Sequence, residues 1–207
     1  MNTKDRAAVI VVDYQNDFAD KNGALYVNGG ETLLDYINSI MRVAKNKREL
    51  VITSQDWHPK NHISFASSFD KNPFEIIDGE MKWPDHCVAD TWGADFMQGF
   101  AKHLVTHKVF KGFEENIDSY SSFGGKEFIE GKARRKLDEI LKANNVKILN
   151  IVGLATEYCD FYTVKDAIEK GYEVKLHTTG IKGVNVNPRD ASDAIMKMKE
   201  MGAKIIT

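Results

Sequence analysis

A chain of 207 residues is long enough for one sizeable hydrophobic core and short for two. Its 43% hydrophobic and 28% charged residues are the proportions of an ordinary globular domain. The 28 basic residues against 30 acidic ones leave a formal charge of −2, which gives no support to a nucleic-acid track or an anionic-membrane surface.

The apolar stretch from Ala7 to Val12 is too short for a signal h-region and runs straight into Asp13. It reads instead as a strand buried on both faces. Over Glu31–Ala44, Leu33, Leu34, Ile37, Ile40, Met41 and Ala44 form one helical stripe. A short strand is expected at Leu50–Thr53, and Lys45, Lys47 and Arg48 before it read as a solvated helix face. From Gln55 to about Phe100 the periodicity dissolves into a segment rich in His, Trp, Pro and Asp, a length of irregular chain that is usually functional. Regularity returns as a strand at His107–Phe110 and a helix near Lys132–Ala143, whose Lys132, Arg134, Arg135 and Lys136 read as solvated. A strand follows at Val146–Val152, a helix at Tyr158–Lys170 and a strand at Tyr172–His177. A last helix opens at Asn187-Pro188-Arg189-Asp190 and runs through Met198, before a strand at Ala203–Ile206. Strands alternating with helices predict parallel βαβ units in a three-layer α/β/α sandwich, one domain over residues 1–207. No stretch approaches the ~20 apolar residues of a spanning helix.

In such a sheet, ligands bind beyond the carboxyl ends of the strands, where strand order reverses. Four successive strand ends carry Asp13, then Asp56 with His58, then Lys111, then the turn into Cys159. A free cysteine is by itself an ordinary small core residue. Cys159, however, is expected in the first turn of a helix with a lysine nearby, and both features lower a thiol pKa and favour the attacking thiolate. Cys87, directly after His86 in irregular chain, reads as packing or as the neighbour of a metal ligand. Asp13 could cap a turn and Lys111 could be a surface lysine, but neither reading explains a charged residue at each strand end.

Asp56, His58, His62 and His86 form a second group. Side chains alternate along extended chain, so Asp56 and His58 share one side, and His86 would complete a His₂-carboxylate set with open positions for substrate or water. Spacing does not choose between zinc, iron and manganese. Nucleotide-binding glycine motifs and a serine-hydrolase elbow are both missing from the sequence. Two cysteines make no disulfide framework, so a reducing, cytoplasmic home is expected.

Several motifs together carry a resemblance: VVDYQNDF at 11–18, GALYVNGG at 23–30, TSQDWHPKNHISFA at 53–66, WPDHCV at 83–88, VFKG at 109–112, SYSSF at 119–123 and GLATEYCD at 153–160. In these the chain resembles the isochorismatase-like cysteine hydrolases, and within them the nicotinamidase (pyrazinamidase) branch. The resemblance implies an open, mainly parallel sheet of about six strands and a triad of Asp13, Lys111 and Cys159. It implies one divalent metal, zinc before iron or manganese, on Asp56, His58 and His86, with His62 as a candidate further ligand. It also implies a cis peptide before Ala155 and an oxyanion hole from the backbone N–H groups of Ala155 and Cys159. Phe18, Trp83, Tyr120 and Leu154 would bind the substrate. The implied reaction is hydrolysis of nicotinamide to nicotinate and ammonia through a cysteine thioester, in NAD salvage, with pyrazinamide also accepted. A homo-oligomer is a further implication. The alternatives are a relative acting on another small amide, or a silent metal-dependent binding protein, which would lack part of the triad.

Overall fold

The computed structural model describes residues 6–207, so the first five residues of the expected domain lie outside the described residues. Eight strands form one sheet: β1 (Arg6–Val12), β2 (Leu50–Asp56), β3 (His107–Lys111), β4 (Lys126–Ile129), β5 (Lys132–Lys136), β6 (Val146–Leu154), β7 (Glu173–Lys182) and β8 (Lys204–Ile206). Their spatial order is β8-β7-β6-β1-β2-β3-β4-β5. The six strands from β8 to β3 are parallel, and β4 and β5 extend them as antiparallel neighbours. The helices longer than one turn among the described residues are α1 (Leu34–Asn46), α2 (Leu137–Ala143), α3 (Phe161–Glu169) and α4 (Asp190–Glu200). Among the described residues, no helix is long and apolar enough to cross a membrane.

The β-branched run of β1 explains its central place. Ala8, Ile10 and Val12 join a core with Ile140 and Leu141 of α2, Val164 and Ala167 of α3, and Met198 of α4. Val9 and Val11 point the other way, to a second core with Ile37, Met41 and Ala44 of α1. A strand with apolar residues on both faces can only sit between two layers. Each fully buried aliphatic side chain contributes about 1.5–3 kcal/mol.

The sheet has two strands more than expected, and they correct the helix expected near 132–143. Residues 132–136 form β5, and the helix begins only at Leu137. β4 and β5 pair across Glu130 and Gly131, both at positive φ (51° and 72°), the geometry of a two-residue type I′ hairpin turn. Every residue of β5 is exposed, so no apolar alternation marks it. The irregular stretch after β2 holds a two-strand hairpin at Ile76–Ile77 and Glu80–Met81, a one-turn helix at Ala66–Phe69 and another at Lys102–Leu104.

The chain runs from β1 outward through β5, crosses back, and runs from β6 outward to β8 on the other side. Strand order therefore reverses between β1 and β6, which pair with Val12 opposite Gly153. At Gly153 (φ 136°) a Cβ would stand 2.1 Å from the Val12 carbonyl oxygen, so only glycine lets the two strand ends approach this closely.

The turn after β6 buries Asp160 completely, and neither of its oxygens has a hydrogen-bond partner among the described residues. Burial first, then the charges of Asp13 and Glu157, push its carboxyl well above the ordinary value. The native state thus holds this proton more tightly than the unfolded chain, whose aspartates titrate near ~3.9. Its contribution to stability is favourable below that value and is lost as pH rises toward the native-state pKa. Asp160→Asn should therefore raise the urea midpoint at pH 8, by the equivalent of about 1–3 kcal/mol, and leave it nearly unchanged at pH 4. Equal shifts at the two pH values would contradict this account.

Candidate active site

Each reactive residue is delivered by a strand end. Asp13 directly follows β1 at φ 44°, Asp56 ends β2, and Lys111 ends β3. Cys159 lies in a π-helical turn, Thr156–Asp160, between β6 and α3, closed by a bond from Asp160 N to the Ala155 carbonyl (3.1 Å). Such turns recur at functional sites. The peptide between Leu154 and Ala155 is cis.

Lys111 joins the group. Its ammonium is 2.9 Å from Asp13 Oδ2, in contact with Asp56 Oδ1 and 3.4 Å from Cys159 Sγ, and it donates to the Ser119 carbonyl. Its side chain is 1% exposed. Burial alone would strip its proton, but Asp13, Asp56 and Cys159 outweigh burial and hold the lysine charged. Burial raises the Asp13 carboxyl against the pull of Lys111. Asp56, equally buried, is carried below the ordinary carboxylate range because Lys111, His58 and His86 together overcome desolvation.

Cys159 differs from the sequence expectation in one respect. Burial pushes its thiol well above the ordinary value, and the opposing pull of Lys111 does not offset burial and the nearby Asp13 and Asp56. It also precedes α3 rather than sitting in that helix's first turn. The thiol therefore rests protonated, and its activation needs an adjacent base.

Asp56, His58 and His86 offer ligand atoms within 4.8 Å of one another. His58 Nδ1 lies 2.9 Å from the Gly112 carbonyl, and His86 Nδ1 lies 2.7 Å from the Pro84 carbonyl. A carbonyl only accepts, so both Nδ1 atoms carry the proton and both Nε2 lone pairs are free, the arrangement typical of metal-bound histidine. Desolvation, then His58, holds His86 down to about 3, so its imidazole is neutral. At Gly112 (φ 60°) a Cβ would stand 2.3 Å from His58 Cε1, which accounts for the glycine after Lys111. The donor set fits a divalent metal. Asp13, Asp56 and Cys159 lie equally close to one another, but Lys111 already reaches all three.

His62 is placed differently. Its Nδ1 accepts from Ser64 N, and its Nε2 meets the Ile117 carbonyl, so neither nitrogen is left for an ion. Its ring packs on His58 at 4.1 Å.

A small, mostly apolar cavity opens over Cys159, between Phe18, Trp83 and Tyr120, with Asp56 and His86 at its wall. Trp83 Nε1 donates to the Tyr120 hydroxyl (3.1 Å), and Trp83 meets Tyr158 edge-on at 4.9 Å. Ala155 lines the cavity but Leu154 does not. Side chains alternate at the end of β6, so Leu154 packs into the core beside α1 and sits 3.4 Å from where a Cβ at Gly30 would stand. Leu25, Tyr158 and Val184 also line the cavity and were not singled out from sequence. The first two lie inside the quoted motifs, whereas Val184 sits in the loop after β7 with no local signal. Cys87 is fully buried outside the cavity, its N–H held by Asp17, which makes it a packing residue.

Residues 7–207 match the isochorismatase domain family. The chain is 38% identical to the nicotinamidase of Escherichia coli (strain K12) over 205 residues, 97% of this chain and 94% of that protein. It superposes with a TM-score of 0.81 on the pyrazinamidase of Pyrococcus horikoshii in complex with zinc, at 36% identity, covering 98% of this chain and 99% of the other. The yeast nicotinamidase bound to the inhibitor nicotinaldehyde superposes at 0.83, with 28% identity over 97% and 99% of the two chains. A match along nearly the whole chain, on the same sheet, makes this protein a member of the isochorismatase family.

Proposed function

We propose that this protein hydrolyses nicotinamide to nicotinate and ammonia, with Cys159 as nucleophile, and that it accepts pyrazinamide in the same pocket. The observation that carries the reading is the buried Lys111 ammonium, 2.9 Å from Asp13 and 3.4 Å from Cys159 Sγ beneath an aromatic cavity. The nicotinamidases among its relatives supply the substrate class.

Phe18, Trp83 and Tyr120 hold the flat ring, and its carboxamide carbon faces Cys159. Asp13 takes the thiol proton as sulfur attacks that carbon. The backbone N–H groups of Ala155 and Cys159 receive the oxyanion, each such donor being worth about 3 kcal/mol. The C–N bond breaks, Asp13 gives its proton to the departing ammonia, and a thioester remains. Asp13 then takes a proton from water as that water attacks the thioester. The C–S bond breaks, the acid leaves, and the proton returns to sulfur. Lys111 keeps its charge throughout and holds Asp13 in place. Asp56, His58 and His86 would hold the metal, for which zinc is our assignment, and it would supply a Lewis-acidic position for the ring nitrogen or a water. Two free cysteines accord with a reducing, cytoplasmic setting.

Cys159→Ala should reduce ammonia release from nicotinamide by roughly 10⁴-fold or more while the fold is kept, as loss of a nucleophile does elsewhere. Retained turnover would remove Cys159 from the role. Against a panel of benzamide, pyrazinamide and short aliphatic amides, the parent protein should favour the ring carboxamides that carry a ring nitrogen. For the metal set, His86→Ala should weaken zinc binding at least about 10-fold, read by elemental analysis after dialysis against a zinc buffer. Dipicolinate should strip the parent protein and lower its turnover, and added zinc should restore it. Unchanged zinc content in the His86 variant would place the metal elsewhere.

A further inference from the structure

Behind Asp13, on the side away from the cavity, lies a line of hydroxyl groups that the chemistry above does not use. Ser54 Oγ on β2 donates to Asp13 Oδ1 at 2.7 Å. Ser122 Oγ, at the start of the one-turn helix Ser122–Gly124, donates to Ser54 Oγ at 2.9 Å. Thr163 Oγ1 on α3 donates to Ser122 Oγ at 3.1 Å. The line ends where Ser122 N–H donates back to Thr163 Oγ1 at 2.9 Å. All three hydroxyl residues and Asp13 are fully buried.

The carboxylate end of this line fixes its direction. A hydroxyl has one proton to give, an amide N–H can only donate, and a carboxylate can only accept. With Asp13 ionised, Ser54 must point its proton at Oδ1, Ser122 at Ser54, and Thr163 at Ser122. For Oδ1 to carry a proton toward Ser54, every hydroxyl would have to reverse, and Thr163, accepting from both the Ser122 O–H and N–H, would be left with no acceptor in the line for its own proton. Hydrogen bonds aligned head to tail also polarise one another, most strongly in a dry interior. The spacing shortens in step toward the carboxylate, from 3.1 to 2.9 to 2.7 Å.

We infer that Thr163, Ser122 and Ser54 form a one-way hydroxyl chain that holds Asp13 Oδ1 as a permanent acceptor and reserves Oδ2 for the proton exchanged with Cys159. This rests on the proposed role of Asp13 as base. Oδ2 is the oxygen on the Lys111 side, 2.9 Å from the ammonium, and no other protein group bonds it among the described residues. The three hydroxyl residues are positioning residues: none of them reaches the cavity. They come from β2, from the turn after β3 and from α3, so the chain also ties the orientation of the base to the helix that follows the nucleophile.

A chain makes a prediction that separate packing contacts do not. Its upper members act only through Ser54, so their effects vanish once Ser54 has lost its hydroxyl. Ser54→Ala should lower kcat for nicotinamide by about tenfold or more with KM little changed, the worth of one hydrogen bond to a charged group. Ser122→Ala and Thr163→Val should lower it by successively smaller factors, and Thr163→Ser, which keeps the hydroxyl, should stay within about twofold of the parent protein. The double variant Ser54→Ala/Ser122→Ala should be no slower than Ser54→Ala alone. Multiplying effects in the double variant, or variants that lose thermal stability with kcat unchanged, would overturn the chain.

A second readout needs no amide substrate. Donors on Oδ1 draw the Asp13 charge away from Cys159, so Ser54→Ala should slow alkylation of Cys159 by iodoacetamide about threefold or more, and Thr163→Ser should not. If the parent protein released no ammonia from nicotinamide, the substrate reading would fail while this ranking of alkylation rates still tested the chain. Equal alkylation rates in the parent and Ser54→Ala proteins would overturn it.

Discussion

One buried ammonium organises the centre of this protein. Lys111 is 1% exposed and touches two carboxylates and a thiol. Withdrawing such a charge from water costs several kcal/mol, which only close opposite charges offset. Asp13 and Asp56 provide that offset, and Lys111 in turn counters part of the repulsion between the two buried carboxylates. Two carboxylates around one ammonium leave a net negative charge, which a divalent cation on Asp56, His58 and His86 would more than offset. The proposed triad and the candidate metal-ligand set therefore share one electrostatic unit, and neither can be altered without disturbing the other.

The fold determines how these groups meet. Asp13 and the Cys159 turn leave adjacent strands at the point where strand order reverses, and Gly153 lets β1 and β6 close on each other there. Asp56 and Lys111 end neighbouring strands in register. The candidate metal ligands His58 and His86 and the cavity wall Trp83 come from the long segment after β2. That segment is pinned by side chains from the stretch after β1: Gln15 Nε2 donates to the carbonyls of Asp56 and Ala94, Asn16 to the carbonyl of Trp92, and Asp17 accepts from Cys87 N–H. VVDYQNDF thus supplies the proposed base, the clamps that hold the segment carrying His58 and His86 and, in Phe18, part of the cavity wall.

How much of this was legible in the sequence follows from the kind of force involved. Burial between layers writes a periodic pattern, so the six parallel strands and the helices could be read from β-branched runs and apolar stripes. The β4–β5 hairpin is held by backbone bonds and a type I′ turn, with no buried alternation in β5, and residues 132–136 looked like the start of a helix. The segment from 55 to 100 owes its shape to bonds spanning 41 to 79 residues, which leave no local trace. Reactive residue types at successive strand ends were visible because parallel sheets gather those ends on one edge. The side to which each side chain turns was not, which is why Leu154, expected at the substrate, packs into the core while Val184 lines the cavity. The hydroxyl chain has even less of a signature, since Ser54, Ser122 and Thr163 are ordinary residues whose meaning lies in their alignment.

The division of labour between Asp13 and Asp56 shows what the environment adds to residue type. Both are fully buried aspartates in contact with the same lysine, and by composition they are interchangeable. Burial is the largest influence on each, and it favours the neutral acid in both. Asp56 has two histidines beside it as well as Lys111, and together they carry it below the ordinary range. Asp13 has Ser54 and Lys111 but also the repulsion of Asp56, and its proton affinity stays high. When neighbours push two like groups apart in this way, their roles separate: the one that stays ionised can serve as a ligand, and the one that can accept a proton can serve as a base. The Cys159 thiol, raised by the same burial, needs such a base. A thiol and a carboxylate whose proton affinities are both lifted are better matched for transfer than a free cysteine would be with an exposed aspartate, and the dry end of the sheet produces that match.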